Sequence, residues 1–171
     1  MPPLDSSIPG FELIERIGAG AESVIYKARD LSADRIVAVK HIVVEDRENY
    51  KYLRHIENEY RILTELQNSP KGPVPGIVHA FEFRKAGFLR RRKERVLVMQ
   101  FIDGPDLKRE RRYPMGQMVH ILMEVAESLA GLHARGIIHA DLKPENIIVE
   151  PSGRPTIVDF GFSCPAGSLA G

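Results

Sequence analysis

Gly136 to Gly161 reads GIIHADLKPENIIVEPSGRPTIVDFG, and the fold follows from how this stretch is read. Two β-branched runs, Ile147-Ile148-Val149 and Thr156-Ile157-Val158, flank Pro151-Ser152-Gly153-Arg154-Pro155. Apolar runs around a Pro/Gly-rich break predict a hairpin. Folding it back sets Asn146 beside Asp159, so that two oxygen ligands face one point, an arrangement suited to a hard cation such as Mg²⁺. Asp141 and Lys143 project from the loop just before. Each piece alone is an ordinary polar turn; their order and spacing carry the chemistry.

The rest of the chain sets bounds. At 171 residues, 43% of them hydrophobic, it can bury one core or two small ones. No apolar run reaches the length of a membrane span, and Met1-Pro2-Pro3-Leu4-Asp5 lacks the basic-then-apolar order of a secretory signal. The expectation is a cytoplasmic protein with no membrane partner. A single cysteine, Cys164, excludes an internal disulfide and a cysteine metal cluster. Net charge is +1 but uneven: Arg84–Arg95 holds seven basic residues and one acid, Lys108–Arg112 four and one. A solvated loop is favoured over a nucleic-acid surface for these runs.

Outward from the hairpin, periodicity predicts the other elements. Residues 1–10 read as a leader. Phe11–Ile17 is a strand with Phe11, Leu13 and Ile17 inward, followed by Gly18-Ala19-Gly20, a turn whose backbone can approach phosphate. Arg35–Ile42 is a strand with Val37 and Val39 on one face and Ala38 and Lys40 on the other. Residues 47–67 are helical, with Leu53, Ile56, Tyr60 and Leu63 as the stripe and Glu59 at its shoulder; Glu57 lies further round and can pair with Arg61. Ile77–Phe83 and Arg95–Ile102 are strands. A short helix is expected over Leu107–Arg112, with Asp106 as its N-cap. Met115–Arg135 is a long helix with Leu122, Val125, Leu129 and Leu132 on one face. His120 and His133, with no acidic partner at ligand spacing, read as structural.

The motifs together resemble the eukaryotic-like Ser/Thr protein kinase family: G-x-G-x-x-G-x-V, V-A-I-K, H-R-D-L-x-x-x-N and D-F-G. Here they stand as Gly18/Gly20/Ser23/Ile25, Val37-Ala38-Val39-Lys40, His139-Ala140-Asp141…Asn146 and Asp159-Phe160-Gly161. The resemblance implies an α+β fold: a five-stranded antiparallel sheet with one helix (11–99), a hinge (100–104) and a partial, mainly helical second lobe (105–171). It implies Asp141, Lys143, Lys40 and Glu59 as catalytic residues, with Glu59 pairing Lys40. Asn146 and Asp159 become ligands of Mg²⁺, or of Mn²⁺ in its place. ATP would meet Ile17, Gly18, Ala19, Gly20, Ser23, Ile25, Ala38, Lys40, Met99, Gln100, Phe101, Ile102 and Ile148. Asp106 holds the place of a ribose-contacting acid, with its capping role kept as the alternative. Leu63, His139 and Phe160 resemble positions of the regulatory spine.

Two departures stand out. Ala140 replaces the arginine that receives a phosphorylated activation loop, and ten residues follow Gly161, so the later helices of the family are not in this sequence. An uncovered apolar face is then expected on the 115–135 helix, met by a second copy or a partner. The implied function is Mg-ATP-dependent phosphoryl transfer to a Ser/Thr hydroxyl of a protein substrate or of the chain itself. The alternative is a nucleotide-binding pseudokinase or interaction module. A small-molecule kinase is disfavoured by the Lys143-Pro144-Glu145 wording.

Overall fold

The computed structural model describes residues 8–20, 23–86, 93–110 and 112–169. The chain groups into two units, Met1–Ile56 with Ala80–Phe101, and Glu57–His79 with Ile102–Gly171.

The first unit is an antiparallel sheet. Its strands are β1 (Phe11–Ala19), β2 (Ser23–Asp30), β3 (Arg35–Val44), β4 (Ala80–Ala86) and β5 (Lys93–Gln100), in the order β1-β2-β3-β5-β4. Valine and isoleucine fill β3 because branched side chains pack well on a pleated surface. Val37 and Val39 join Ile8, Phe11, Tyr26, Ala28, Val96 and Val98 in one core, with Leu13 and Val24 against it. The other face of β3 is buried too, at Ala38, Lys40, Ile42 and Val44. The β2–β3 turn is held by Asp30, whose Oδ1 accepts from Ser32 N (3.0 Å), Ser32 Oγ (2.7 Å) and Ala33 N (3.2 Å). Those donors, the Ser32 hydroxyl first, hold its carboxyl below the usual range. Arg84 donates to Pro9 O at 2.6 Å and lies over the Phe11 ring, fastening the segment before β1. Residues 87–92 of the basic run lie outside the described residues.

A helix, α1 (Tyr50–Gln67), follows a 3₁₀ turn at Arg47–Asn49. In the first unit it buries Leu53 and Ile56; in the second, Glu59, Ile62, Leu63 and Leu66. Tyr60, expected inside, is half-buried. Arg61 donates to Asn58 Oδ1 (2.8 Å) and Glu65 (3.4 Å), on its own turns of the helix.

In the second unit, Gly76 at φ +69° turns the chain, and Ile77 bridges Ile157 instead of opening a strand. Ile157 N donates to Gly76 O (2.7 Å) and Val78 N to Ile157 O (3.1 Å), so β4 begins only at Ala80. The hairpin expected from the sequence is present as β7 (Ile147–Val149) and β8 (Pro155–Ile157), after the two-residue β6 (Ile137–Ile138) and before β9 (Cys164–Pro165). Among the described residues of 107–112 the expected helix is absent, replaced by a turn at 107–109. Asp106 Oδ1 takes Lys108 N (3.0 Å) and Arg109 N (2.9 Å) in a lone turn, and a run of basic residues gives no i,i+4 support to extend it.

The long helix, α2 (Met115–His133), buries Ile121, Val125, Ser128 and Leu132. This corrects the expected face: Leu122 is 53% exposed, alongside Met115, Val119 and Met123. His120 is also corrected, since it pairs with Glu124 at 2.9 Å one turn on. Gly136, at φ +70°, closes the helix with its N–H on His133 O. Arg135 donates to Gly131 O within the helix (2.8 Å) and ties this end to the 68–76 loop by donating to Gly72 O (2.7 Å). Among the described residues, no helix is long and apolar enough to cross a membrane.

Candidate active site

The second unit gathers Asp141, Lys143 and Asn146 on one loop. Lys143 Nζ donates to Asp141 Oδ2 at 2.7 Å, and that carboxylate raises the lysine's pKa. Asn146 Nδ2 donates to Asp141 O (2.8 Å) and Oδ2 (3.3 Å). With the amide nitrogen spent this way, Asn146 keeps its oxygen for another partner. Val158 N donates to Asn146 O at 2.9 Å, which sets Asp159 next to the Asn146 backbone as the hairpin register requires. Asp159 has φ +65° and Ala140 φ +62°. Aspartate enters this left-handed region more readily than alanine, for which it costs about 1–2 kcal/mol.

Beneath the loop lies His139, 2% exposed. Its Nε2 reaches Val158 O at 3.1 Å, while Nδ1 receives the Asp141 N–H at 3.4 Å. A carbonyl accepts and an N–H donates, so the ring is the neutral Nε2–H tautomer. Burial pushes its pKa below the ordinary value, in keeping with that tautomer. The fully buried Phe160 ring meets it edge-on at 4.8 Å. Leu63, the third residue grouped with them by the motifs, is also fully buried.

The segment after Asp159 is fastened along its length. Phe160 N donates to Glu59 Oε1 at 3.3 Å. Asn58 Nδ2 lies 3.1 Å from Gly161 O and 2.8 Å from Ser163 O. Ser163 Oγ donates to His139 O (3.1 Å), Cys164 pairs with Ile138, and Ala166 N donates to Gly136 O (2.8 Å). Sequence reasoning missed Asn58 and Ser163; a polar residue on a helix flank or after a turn carries no periodic signal. Asp106 and Ile148 form a bridge in this unit, and the Asp106 carboxylate is engaged as the cap of its turn. Ile102 is buried there as well.

The first unit carries the other expected residues. Gly18 faces Ile25 across β1–β2, and Gly20 N donates to Ser23 O at 2.8 Å. A Cβ on Gly20 would sit 2.8 Å from Ser23 Oγ, a contact that a turn of the serine side chain would have to relieve. Ile17 and Ala19 flank this turn on β1. Lys40 faces Ile25 on β2 and Leu97 on β5, and Ala38 faces Met99. Lys40 and Ala38 alternate onto the same side of β3 and are both buried. Gln100 ends β5, and Phe101 lies under Lys27 Nζ at 4.6 Å. Lys40 and Glu59, expected as a pair, belong to different units.

Comparison with known proteins is consistent with this arrangement. A family model described as "Protein kinase domain" matches residues 11–169. The chain is 30% identical over 157 residues to a protein of Clostridium perfringens named as a probable serine/threonine-protein kinase, covering 90% of this chain and 21% of that one. It is 28% identical over 159 residues to the serine/threonine-protein kinase pkn2 of Myxococcus xanthus (90% and 18%). With cyclin-dependent kinase 4 of Xenopus laevis the identity is 31% over 159 residues (90% and 48%). The chain thus spans less than half the length of each of these relatives.

Proposed function

The chain belongs to the protein kinase domain family, and from that premise we propose that it binds Mg-ATP and transfers the γ-phosphoryl group to a Ser/Thr hydroxyl, its own included. The observation that carries the proposal is the Asp141–Lys143–Asn146 cluster, closed at 2.7 and 2.8 Å beside the Asp159 turn.

Phosphoryl transfer depends on positioning and charge balance more than on covalent chemistry. Asp141 orients the attacking hydroxyl and accepts its proton, and Lys143 balances charge on the transferred group. Lys40 and the 18–23 turn bind phosphate oxygens. Ile25 and Ala38 of the first unit meet the base, and the backbone of Gln100 receives its edge, with Met99 behind. The donor set fits a hard cation: Asn146 offers an amide oxygen with its nitrogen spent on Asp141, and Asp159 a carboxylate. Bound there, Mg²⁺ supplies neutralisation of phosphate charge. Asn146 and Asp159 are the residues that would hold it, the nucleotide bringing further oxygens.

The test is ADP release and intact mass after incubation with Mg-ATP, beside Asp141→Asn. Turnover that falls about 10²–10⁴-fold in the variant is expected for loss of a general base. Equal turnover in both refutes the assignment. A second reading, nucleotide binding without turnover, is favoured by the α2 stripe of Met115 (79% exposed), Val119, Leu122 and Met123. Exposed apolar side chains in a row invite a second copy or a partner, and activity would await it. Sedimentation at micromolar concentration separates the readings: an active monomer leaves the stripe without this role.

A further inference from the structure

We propose that Asn58 is a positioning residue: its amide fixes the backbone of residues 160–163 and, through that turn, the setting of the Asp159 carboxylate. The proposal rests on the kinase reading only for what Asp159 does. Asn58 Nδ2 stands 2.8 Å from Ser163 O, 3.1 Å from Gly161 O and 3.5 Å from Phe160 O. Carbonyls only accept, so the nitrogen must face them. At the other end Arg61, which only donates, reaches Oδ1 at 2.8 Å. Chemistry fixes the amide from both sides.

The neighbouring residue completes the grip. Glu59 accepts from Phe160 N at 3.3 Å, and Ser163 N closes on Phe160 O at 3.1 Å. Two consecutive helix residues therefore hold a donor and the acceptors of one turn, immediately after a non-glycine residue at φ +65°. Such backbone persists only where its surroundings over-determine it. Three carbonyls converging on one point repel each other unless a donor sits among them. Asparagine supplies two N–H groups there; aspartate, of the same shape, would add a fourth acceptor, and alanine would supply nothing.

The experiment compares the parent chain with Asn58→Ala, Asn58→Asp and Arg61→Ala. Hydrogen exchange at the amides of residues 160–166, read without nucleotide, is expected to quicken about tenfold in Asn58→Ala and further in Asn58→Asp. Arg61→Ala, which leaves the amide free to turn over, should quicken it about threefold. With Mg-ATP, Asn58→Ala should lose about tenfold in kcat/KM at a temperature where both proteins are folded, a loss that global destabilisation would not produce. Exchange within twofold of the parent in all three variants overturns the proposal. Should Asn58→Ala not fold, Arg61→Ala decides, because its side chain is 54% exposed and removable. If the parent turns over no ATP, the kinase reading fails while the exchange result still decides the role of Asn58.

Discussion

Replacing Phe160 with alanine should cost the second unit about 3–5 kcal/mol, in the upper part of that range. The ring is fully buried, so its removal forfeits the whole transfer term and leaves a void. Collapse into that void is blocked on both sides: Val158 N is held by Asn146 O at 2.9 Å, and Gly161 O by Asn58 at 3.1 Å. The edge-on contact with His139 adds a part of its own, about 0.5–1.5 kcal/mol for such ring pairs. Urea unfolding followed by far-UV dichroism reads the total. Hydrogen exchange over 137–165 keeps the reading local, since a chain of two units need not unfold in one step. A cycle with His139→Ala isolates the ring term. A cost below about 1 kcal/mol would contradict the packing described for this unit, and a coupling of zero would refute the ring contact.

Gly104→Ala should destabilise by about 1–3 kcal/mol, because its Cβ would be driven into Val149 O and stand 2.8 Å from Val149 C, which is backbone and cannot step aside. Gly116→Ala, on α2 with nothing within 4 Å, should instead gain about 0.5–1 kcal/mol, and the two urea midpoints moving the same way would contradict the geometry. Asp106→Ala should cost about 1 kcal/mol as the loss of a cap, with Asp106→Asn recovering most of it in the same assay. For His139, burial lowers the folded-state pKa below 6.5, so the unfolded chain binds the extra proton first. Stability from this group is therefore complete above about pH 6.5 and declines as pH falls below it; the decline should be shallower in His139→Gln when melting is followed across pH 5–7.

Much of the second unit's active loop could be read directly. β-Branched runs around a Pro/Gly break make a hairpin, and its observed register sets Asn146 opposite Val158, one residue before the Asp159 expected beside it. The placing of Ala38 and Lys40 on one face of β3 followed equally from alternation along the strand. What failed depended on partners far away in sequence. Ile121 and Leu122 satisfy the same helical period, and the face that is buried is the one carrying Ser128, which lies against Gly76 and sends its hydroxyl to Glu124 O at 2.9 Å. Ile77 and Val78, expected to open a strand running to Phe83, instead meet Ile157 of β8 through a single bridge and one further hydrogen bond, because Gly76 turns the chain there. The His120–Glu124 pair is legible in the sequence at i,i+4 spacing.

The order in which the ribosome makes this chain bears on how it folds. Residues 57–79 belong with 102–171, yet the last strands of the other unit are made between them. At about 5–20 residues per second, Ile77 emerges roughly 4–16 s before its partner Ile157 exists. For that interval Ile77 lacks the strand residue it bridges, and Val74 meets Gly131 only when α2 has been made. Proteins built this way present a sticky, half-made surface to the cell during synthesis. A chaperone contact made while positions 80 to 157 are being added would shield that surface.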